Sequence, residues 1–545
     1  MKYRDTLVAL LGRAADVAAN PERRKLIQEA LSRREALPLS TGALATWTPP
    51  QSTGRSPRDT YIVKSPENGA SIDWSSPNCI PMSPETFEMI FTHALAELEA
   101  QERLYCMERV VGADASYALP VKVVTYHALS ALFVDNMFRP LPEDLERSVF
   151  AGTPFTLLSL PYSKLDPAVY EGRLRKLPDG STASMAVAMD FDNRMGIVYG
   201  SAYMGSIKKL IFTVMNYYLP AQGVLPLHCS ANEGEDGSCA LLLGLSGTGK
   251  TTISSDPERA LLGDDEHGWN DKGIANFEYG CYAKLINLNP EKEPEIYKAV
   301  FHQGEVLNHG SLVENLMVYP DGGFDLDDPR FTQNSRASYP LRYLTNVKES
   351  STSGHPKTIL FLTADAYGVL PPISRLSREQ AMFQFMMGYT SKLAGTETGI
   401  TEPQAAFSRF FAEPFMPRNP SEYTALLGKL MREHAAQVFL VNTGWSGGPY
   451  GVGRRIDINL TRAMVRAALS GRLDDVEYHP DPVFKVFVPV SCPGVPDKVL
   501  NPVNTWQDRE AFRKQAENLA AAFRKHFQKA FAGSVPDAIA AQCPG

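Results

Sequence analysis

Nothing in the 545-residue chain offers a disulfide scaffold or a zinc knuckle. Its seven cysteines (Cys79, Cys106, Cys229, Cys239, Cys281, Cys492 and Cys543) are odd in number, scattered, and contain no C-x-x-C pair. That pattern fits a reducing, cytoplasmic setting. Also missing is any stretch approaching the ~18 consecutive apolar residues of a membrane span. The short apolar run Leu7–Leu11 is no export core. Positive charge is not in excess either: the net charge is −7, which leaves no electrostatic footprint for nucleic acid or an anionic membrane. No repeat or long low-complexity tract is found. What is there is the composition of an ordinary soluble enzyme, 44% hydrophobic, 21% charged and 10% aromatic. Any anion it handles must be met by local basic clusters. The length is beyond that at which one core stops growing, so two domains are expected. Oligomeric state is left open, with a monomer as the default.

Residues 37–71, rich in Pro, Gly, Ser and Thr, read as irregular. A helix is expected to follow, with Ser83 as N-cap, Pro84 at its first position and a one-sided stripe of Phe87, Ile90, Phe91, Ala94, Leu95 and Leu98. A last helix near 506–531 carries Phe512, Leu519, Phe523 and Phe527 on one face. Both stripes read as core. Between them, β-rich runs occupy 225–230, 239–243, 260–262, 358–363, 438–441 and 483–490. The acidic, Gly-containing turn 233–237 makes the first two an antiparallel pair. Strands mixed with helices and hairpins predict an α/β protein with mixed sheets. The main domain boundary is expected near residue 220, giving domains 1–220 and 221–545.

The informative segment is Gly244-Leu245-Ser246-Gly247-Thr248-Gly249-Lys250-Thr251, after the buried run Leu241-Leu242-Leu243 and at the start of a helical stretch. Glycines let successive N–H groups form a cup around phosphates, the helix N-terminus adds its dipole, and the lysine neutralises charge between the β- and γ-phosphates. Thr251 offers a hydroxyl to a metal. An apolar strand then ends in Asp264-Asp265, where such an enzyme holds Mg²⁺ or Mn²⁺. The acids come only 14 residues after Lys250, and Asp256-Pro257 must stop the intervening helix after about two turns. Ordinary phosphate-loop GTPases and motor ATPases use a longer crossover, so this is an unusual branch. His267 and Trp269 read as packing residues.

A second cluster lies upstream: Lys208-Lys209 before an apolar segment, and His228 in Pro226-Leu227-His228-Cys229-Ser230-Ala231-Asn232. Singly these are a solvated lysine pair and a core histidine. Together with 244–252 and 263–269 they resemble the ATP-dependent phosphoenolpyruvate carboxykinase family. The likeness extends to Thr53-Gly54-Arg55-Ser56-Pro57, Met215-Asn216-Tyr217, Cys281-Tyr282-Ala283-Lys284, 363–372, 392–397 and Asn442-Thr443-Gly444-Trp445, and spans roughly residues 50–490 in order.

The resemblance implies a two-lobed protein, with an N-terminal oxaloacetate/phosphoenolpyruvate-side α/β domain, a C-terminal phosphate-loop domain, and the active site in the cleft between them. It implies decarboxylation of oxaloacetate and phosphorylation of the enolate by ATP, giving phosphoenolpyruvate, CO₂ and ADP, a step of gluconeogenesis. One Mn²⁺ would be held by residues matching Lys209, His228 and Asp265, and a Mg²⁺ would travel with ATP near Thr251. A lysine binds metal only as the neutral amine, which burial, Lys208 and the cation favour. An amine and an imidazole suit Mn²⁺ better than the oxygen-loving Mg²⁺. Arg55 and Tyr203 match substrate contacts, Arg336 a γ-phosphate contact, and Asp264 a group acting through metal-bound water. Arginine suits such places because its fork grips carboxylate or phosphate in two contacts. Nucleotide contacts would be Gly244 to Thr252 (Thr252 included), with Glu293, Arg336, Arg455, Ile456 and Thr461. The GTP-using relatives carry a cysteine in the loop; this one has none, so ATP is expected.

One departure stands out. Gly205-Ser206-Ile207 precedes the lysine pair where the family usually has Gly-Glu-Met, which removes an anion beside Lys208 and Lys209. Two other readings of the chain are a different phosphate-loop small-molecule kinase and a catalytically silent ATP-binding regulator. Arg55, Tyr203 and Lys209 speak against the first, and the intact loop and metal residues against the second. A closing lid is expected, with Ala394–Gly399 the candidate segment.

Overall fold

A computed structural model describes residues 3–245, 247–254, 256–301, 304–392, 404–533 and 535–545. Ser246, the side chains of Thr251 and Thr252, and the candidate lid at 394–399 lie outside the described residues. The chain divides into two compact units, each discontinuous in sequence. The first comprises Met1–Leu219, Asn276–Ser350 and Pro414–Arg418; the second comprises Pro220–Ala275, Ser351–Glu413 and Asn419–Gly545. The chain first changes unit between Leu219 and Pro220. Its two later returns to the first unit carry no mark in composition.

The first unit is built on a mixed eight-stranded sheet in the spatial order Val17–Ala19, Leu104–Val111, Leu119–Thr125, Phe155–Leu160, Met195–Tyr199, Ala186–Asp190, Thr60–Val63, Ile80–Met82. Successive strand residues point to opposite faces, and both faces of Met195–Tyr199 are covered. Met195, Ile197 and Tyr199 join one core with Phe87, Ile90, Phe91, Ala94 and Leu98 of the helix Pro84–Glu99. That helix starts as expected, with Ser83 Oγ accepting the Thr86 N–H at 3.1 Å. On the other face, a Cβ at Gly196 would come within 2.8 Å of Leu210, so glycine lets the helix Gly205–Tyr218 lie directly on the strand. This helix carries Lys208 and Lys209. A five-stranded sheet follows, in the order Gly280–Lys284, Arg336–Pro340, Leu312–Glu314, Leu44–Thr46, Leu37–Pro38. Segment 37–71 is therefore not wholly irregular: three short strands run through it, Leu37–Pro38 at the edge of this sheet, Leu44–Thr46 inside it and Thr60–Val63 inside the eight-stranded sheet.

The second unit has an 11-stranded mixed sheet. Its centre is parallel, Cys239–Gly244 beside Pro356–Thr363 beside Gln437–Asn442. Leu225–Gly234 runs antiparallel to Cys239–Gly244, as the intervening turn predicted. The other edge of Leu225–Gly234 serves two strands, Arg259–Gly263 along residues 231–234 and Glu266–Asn270 along 225–228. One face packs on the helix Ile458–Leu469 through Leu242, Leu360, Phe439, Met464 and Val465. The helix expected near 506–531 spans Arg509–Phe531, is capped by Asp508 and buries Leu519, Phe523 and Phe527, with one short helix, Asp537–Ala540, after it. Two expectations change. The helix after the phosphate loop is only Lys250–Ser254, about one and a half turns rather than two, since it must end before Asp256-Pro257. Of the expected strand 483–490, only Phe487–Pro489 is extended, because Asp481 turns the chain by accepting the N–H groups of Val483 and Phe484. Among the described residues, no helix is long and apolar enough to cross a membrane.

Phe87 is fully buried between helix and sheet. Phe87→Ala should cost the protein about 3–5 kcal/mol, against about 1 kcal/mol for the cap variant Ser83→Ala. Urea titration of the two variants checks the order.

Candidate active site

In the second unit, the strand Cys239–Gly244 delivers the chain into the phosphate loop. Gly247 and Gly249 both adopt φ of 85°, the left-handed region that favours glycine. A Cβ at Gly244 would meet Thr248 Oγ1 at 2.5 Å and Leu362 Cβ at 2.9 Å. The loop's carbonyls are tied back by side chains. Thr248 Oγ1 donates to Leu245 O at 2.7 Å, Thr443 Oγ1 to Thr248 O at 2.9 Å, and Arg455 Nη2 to Gly247 O at 3.0 Å. The Thr248 N–H also turns to Leu245 O, at 3.3 Å; in loops of this kind backbone amides are the groups that meet an anion. Arg455 also donates to Thr443 O at 3.0 Å and lies 5.6 Å over the Trp445 ring. Ile456 and Thr461 are buried, and the Thr461 hydroxyl turns to Asp457 O at 3.3 Å.

The acids reach the loop through strand register. His228 pairs with Glu266 across the sheet, so Asp265 falls beside His228 where the two partner strands of Leu225–Gly234 meet. Ser230 Oγ fixes this junction by donating to Asp264 O at 2.6 Å. Asp265 Oδ1 lies 2.9 Å from His228 Nε2 and 3.0 Å from Lys250 Nζ. The other ring nitrogen, Nδ1, donates to the Phe411 carbonyl at 2.8 Å. That bond places the proton of a neutral ring on Nδ1, so Nε2 presents a lone pair to a carboxylate oxygen. Two acceptors converging in this way are suited to a cation, with the carbonyl orienting the imidazole from behind. The carbonyl is held by strained backbone: Phe410 and Phe411 have φ of 61° and 57°. His267 and Trp269 are fully buried packing residues; His267 Nδ1 donates to Cys229 O at 2.8 Å.

In the first unit, Arg55, Ser206, Lys209, Leu210, Thr213 and Phe415 line a recess that opens to solvent. Two cations share one aromatic ring there: Arg55 lies 4.5 Å and Lys209 Nζ 5.0 Å from the Phe415 centroid. Adjacent helix positions diverge by about 100°. Lys208 accordingly turns inward, 2% exposed, with its amine 2.9 and 3.0 Å from the two oxygens of Glu278. Glu278 thus supplies a carboxylate in a chain whose helix start has Ser206 in place of the family's glutamate. Asn334 joins the segments of the two expected arginines, donating to Thr53 O at 3.0 Å and accepting from Arg336 Nε at 3.0 Å. Tyr203 and Arg336 both border Tyr282. Tyr282 donates a short hydrogen bond to Glu314, whose other oxygen accepts the Met204 N–H at 3.1 Å. Glu293 sits at the N-terminus of the helix Pro294–Val300, also in the first unit.

Phe415, Glu278, Glu314 and Tyr282 were not singled out from the sequence. Tyr282 lies inside a motif that carries the family resemblance, and the other three had no local signal, because their neighbours come from distant segments.

A phosphate loop with acids and a histidine in register, in a chain that also has a cationic recess, defines an enzyme of nucleotide-dependent phosphoryl transfer to a small anion. The family model described as phosphoenolpyruvate carboxykinase, of the ATP type, matches residues 15–498. The chain belongs to that family. It is 50% identical to phosphoenolpyruvate carboxykinase (ATP) 1 of Moorella thermoacetica over 93% of this chain and 92% of the relative. It is 48% identical to the phosphoenolpyruvate carboxykinase (ATP) of Geobacillus thermodenitrificans, with the same coverage. For that of Thermus thermophilus the identity is 47% over 95% of each chain.

Two outcomes test the site. Gly244→Ala should lose ATP binding at least tenfold (about 1.4 kcal/mol), because its methyl group displaces Thr248; isothermal titration measures it. Burial holds the Glu314 carboxyl up to about 7, against the opposing effect of its bonds to Tyr282 and Met204 and of Arg336. The folded protein then keeps a proton that the unfolded carboxyl, near 4.5, has lost. This contribution to stability is complete below about 4.5 and is lost as pH rises through about 7. Urea midpoints of the parent should therefore decline from pH 5 to pH 8 relative to those of Glu314→Gln.

Proposed function

We infer that the chain decarboxylates oxaloacetate and phosphorylates the resulting enolate with ATP, yielding phosphoenolpyruvate, CO₂ and ADP. The observation that carries this reading is the recess with Arg55 and Lys209 against Phe415, in a chain that also holds a phosphate loop. A nucleotide hydrolase or silent ATP binder has no use for a second cationic site.

Oxaloacetate is a dianion. Arg55 grips a carboxylate with two N–H groups, and Tyr203 orients the substrate by its hydroxyl. Loss of CO₂ leaves an electron pair on the enolate oxygen, which attacks the γ-phosphate in line as the bond to ADP breaks. Lys250 and Arg336 spread the charge on the transferring group, and the loop amides hold the rest of the triphosphate. Lys209, His228 and Asp265 would hold a Mn²⁺, and Thr251 would meet the Mg²⁺ of the nucleotide. Such ions supply charge neutralisation at the enolate and phosphate oxygens. Lys208, paired with Glu278, stays a fixed charge behind Lys209. Arg455, Ile456 and Thr461 serve the base and ribose, with Glu293 a further nucleotide contact. In this reading residues 1–220 are chiefly the oxaloacetate side and 221–545 chiefly the nucleotide side. The chemistry requires both to act on one pair of reactants. All seven cysteines are free, six of them buried, which agrees with a reducing, cytoplasmic setting.

Purified protein should form ADP only when oxaloacetate is present, with Mn²⁺ stimulating more than Mg²⁺ alone and ATP preferred to GTP. His228→Ala should lose Mn²⁺ activation while ATP still binds. Protein that binds ATP yet releases no phosphoenolpyruvate under these conditions would overturn the assignment.

A further inference from the structure

Resting on the roles proposed above for Tyr203 and Arg336, we propose that Tyr282, locked in place by Glu314, is a positioning residue that sets the placement of both. The Tyr282 ring lies 5.8 Å from the Tyr203 ring, tilted by 53°. The Arg336 guanidinium carbon lies 5.8 Å from the same Tyr282 centroid, and its Nη1 is 3.5 Å from the Tyr282 carbonyl. Phe133 backs the ring edge-on at 5.4 Å. Only glycine at 205 admits this arrangement: a Cβ there would stand 2.4 Å from Tyr203 Cε1 and 2.9 Å from Tyr282 Cε1.

Glu314 is what fixes the ring. Its carboxylate is 1% exposed and divides its oxygens between two donors. One takes the Tyr282 hydroxyl and the other the N–H of Met204, at 3.1 Å. Met204 follows Tyr203 directly and precedes the helix Gly205–Tyr218, which carries Lys208 and Lys209. One buried group therefore ties the phenol to the backbone on which the substrate tyrosine is mounted. The strand pairing does the same for the arginine, since Glu314 lies opposite Arg336 in register and Lys284, two residues after Tyr282, lies opposite it on the other side. A carboxyl this deeply buried is costly, and its two acceptors serve geometry rather than a solvent-facing charge. Groups held on adjacent strands are placed more tightly than groups on loops.

The test compares Tyr282→Phe, Glu314→Ala and Glu314→Gln with Tyr203→Phe and Arg336→Lys in the full chain. Displacing reacting groups by about 1 Å costs on the order of 100-fold, so Tyr282→Phe and Glu314→Ala should lower kcat/KM for oxaloacetate by about 10- to 100-fold, moving kcat and KM together. Affinity for ADP, which has no γ-phosphate for Arg336 to meet, should stay at the parent value. Glu314→Gln can accept from Met204 while donating to the Tyr282 oxygen, and should recover most of the loss. The proposal is overturned if Tyr282→Phe keeps the parent kcat/KM, or if losses simply follow melting temperature with glutamine no better than alanine. If Tyr203→Phe and Arg336→Lys are themselves as active as the parent, the roles beneath the proposal fail instead.

Discussion

The nucleotide side of this protein depends on the register of one strand. Leu225–Gly234 lies against the phosphate-loop strand on one edge and, on the other, the two strands that Asp264-Asp265 join. Because it is shared, the loop and the acids cannot shift independently. A slip of one residue would turn His228 to the opposite face of the sheet and break the meeting of its Nε2 with Asp265. The short step from Lys250 to the acids follows from this arrangement. With the loop strand and those two strands all paired to Leu225–Gly234, a short helix and a tight return are enough chain, and a full crossover helix has no place.

Around that frame the protein solves a charge problem. An overall acidic chain must hold polyanions, and it does so by placing each cation against a group that fixes its position. Lys208 is neutralised by buried Glu278, Lys250 meets Asp265, and Arg455 is taken up by loop and strand carbonyls. Arg55 and Lys209 instead face an aromatic ring, which attracts a cation without cancelling its charge. These two are the pair in the recess.

The strain at Phe410 and Phe411 serves the same end of exact placement. Two successive non-glycine residues in the left-handed region cost free energy of order 1–3 kcal/mol each. What they present is the carbonyl that determines which nitrogen of His228 carries the proton. Strain far along the chain thereby decides the chemistry of a ring on a strand.

Much of this was legible in the residues alone. The phosphate loop, the acids after it, the capped helix at Ser83 and the hairpin through Gly237 all follow from short-range rules. Glycine torsions, hydroxyl caps and apolar periodicity act within a few residues and so leave a mark in the sequence. The partners of Lys208, the ring shared by Arg55 and Lys209, and the clamp of Glu314 on Tyr282 left no such mark. Each joins segments tens to hundreds of residues apart, and Glu278, Glu314 and Phe415 look locally like any strand or loop residue. The expected loss of an anion at Ser206 illustrates the limit: the sequence could register the missing glutamate, while only the tertiary structure could bring Glu278 to Lys208. Torsional and capping preferences are written residue by residue. Which distant charges meet is decided by sheet register and packing, because burial makes an unpaired charge too costly to leave where it falls.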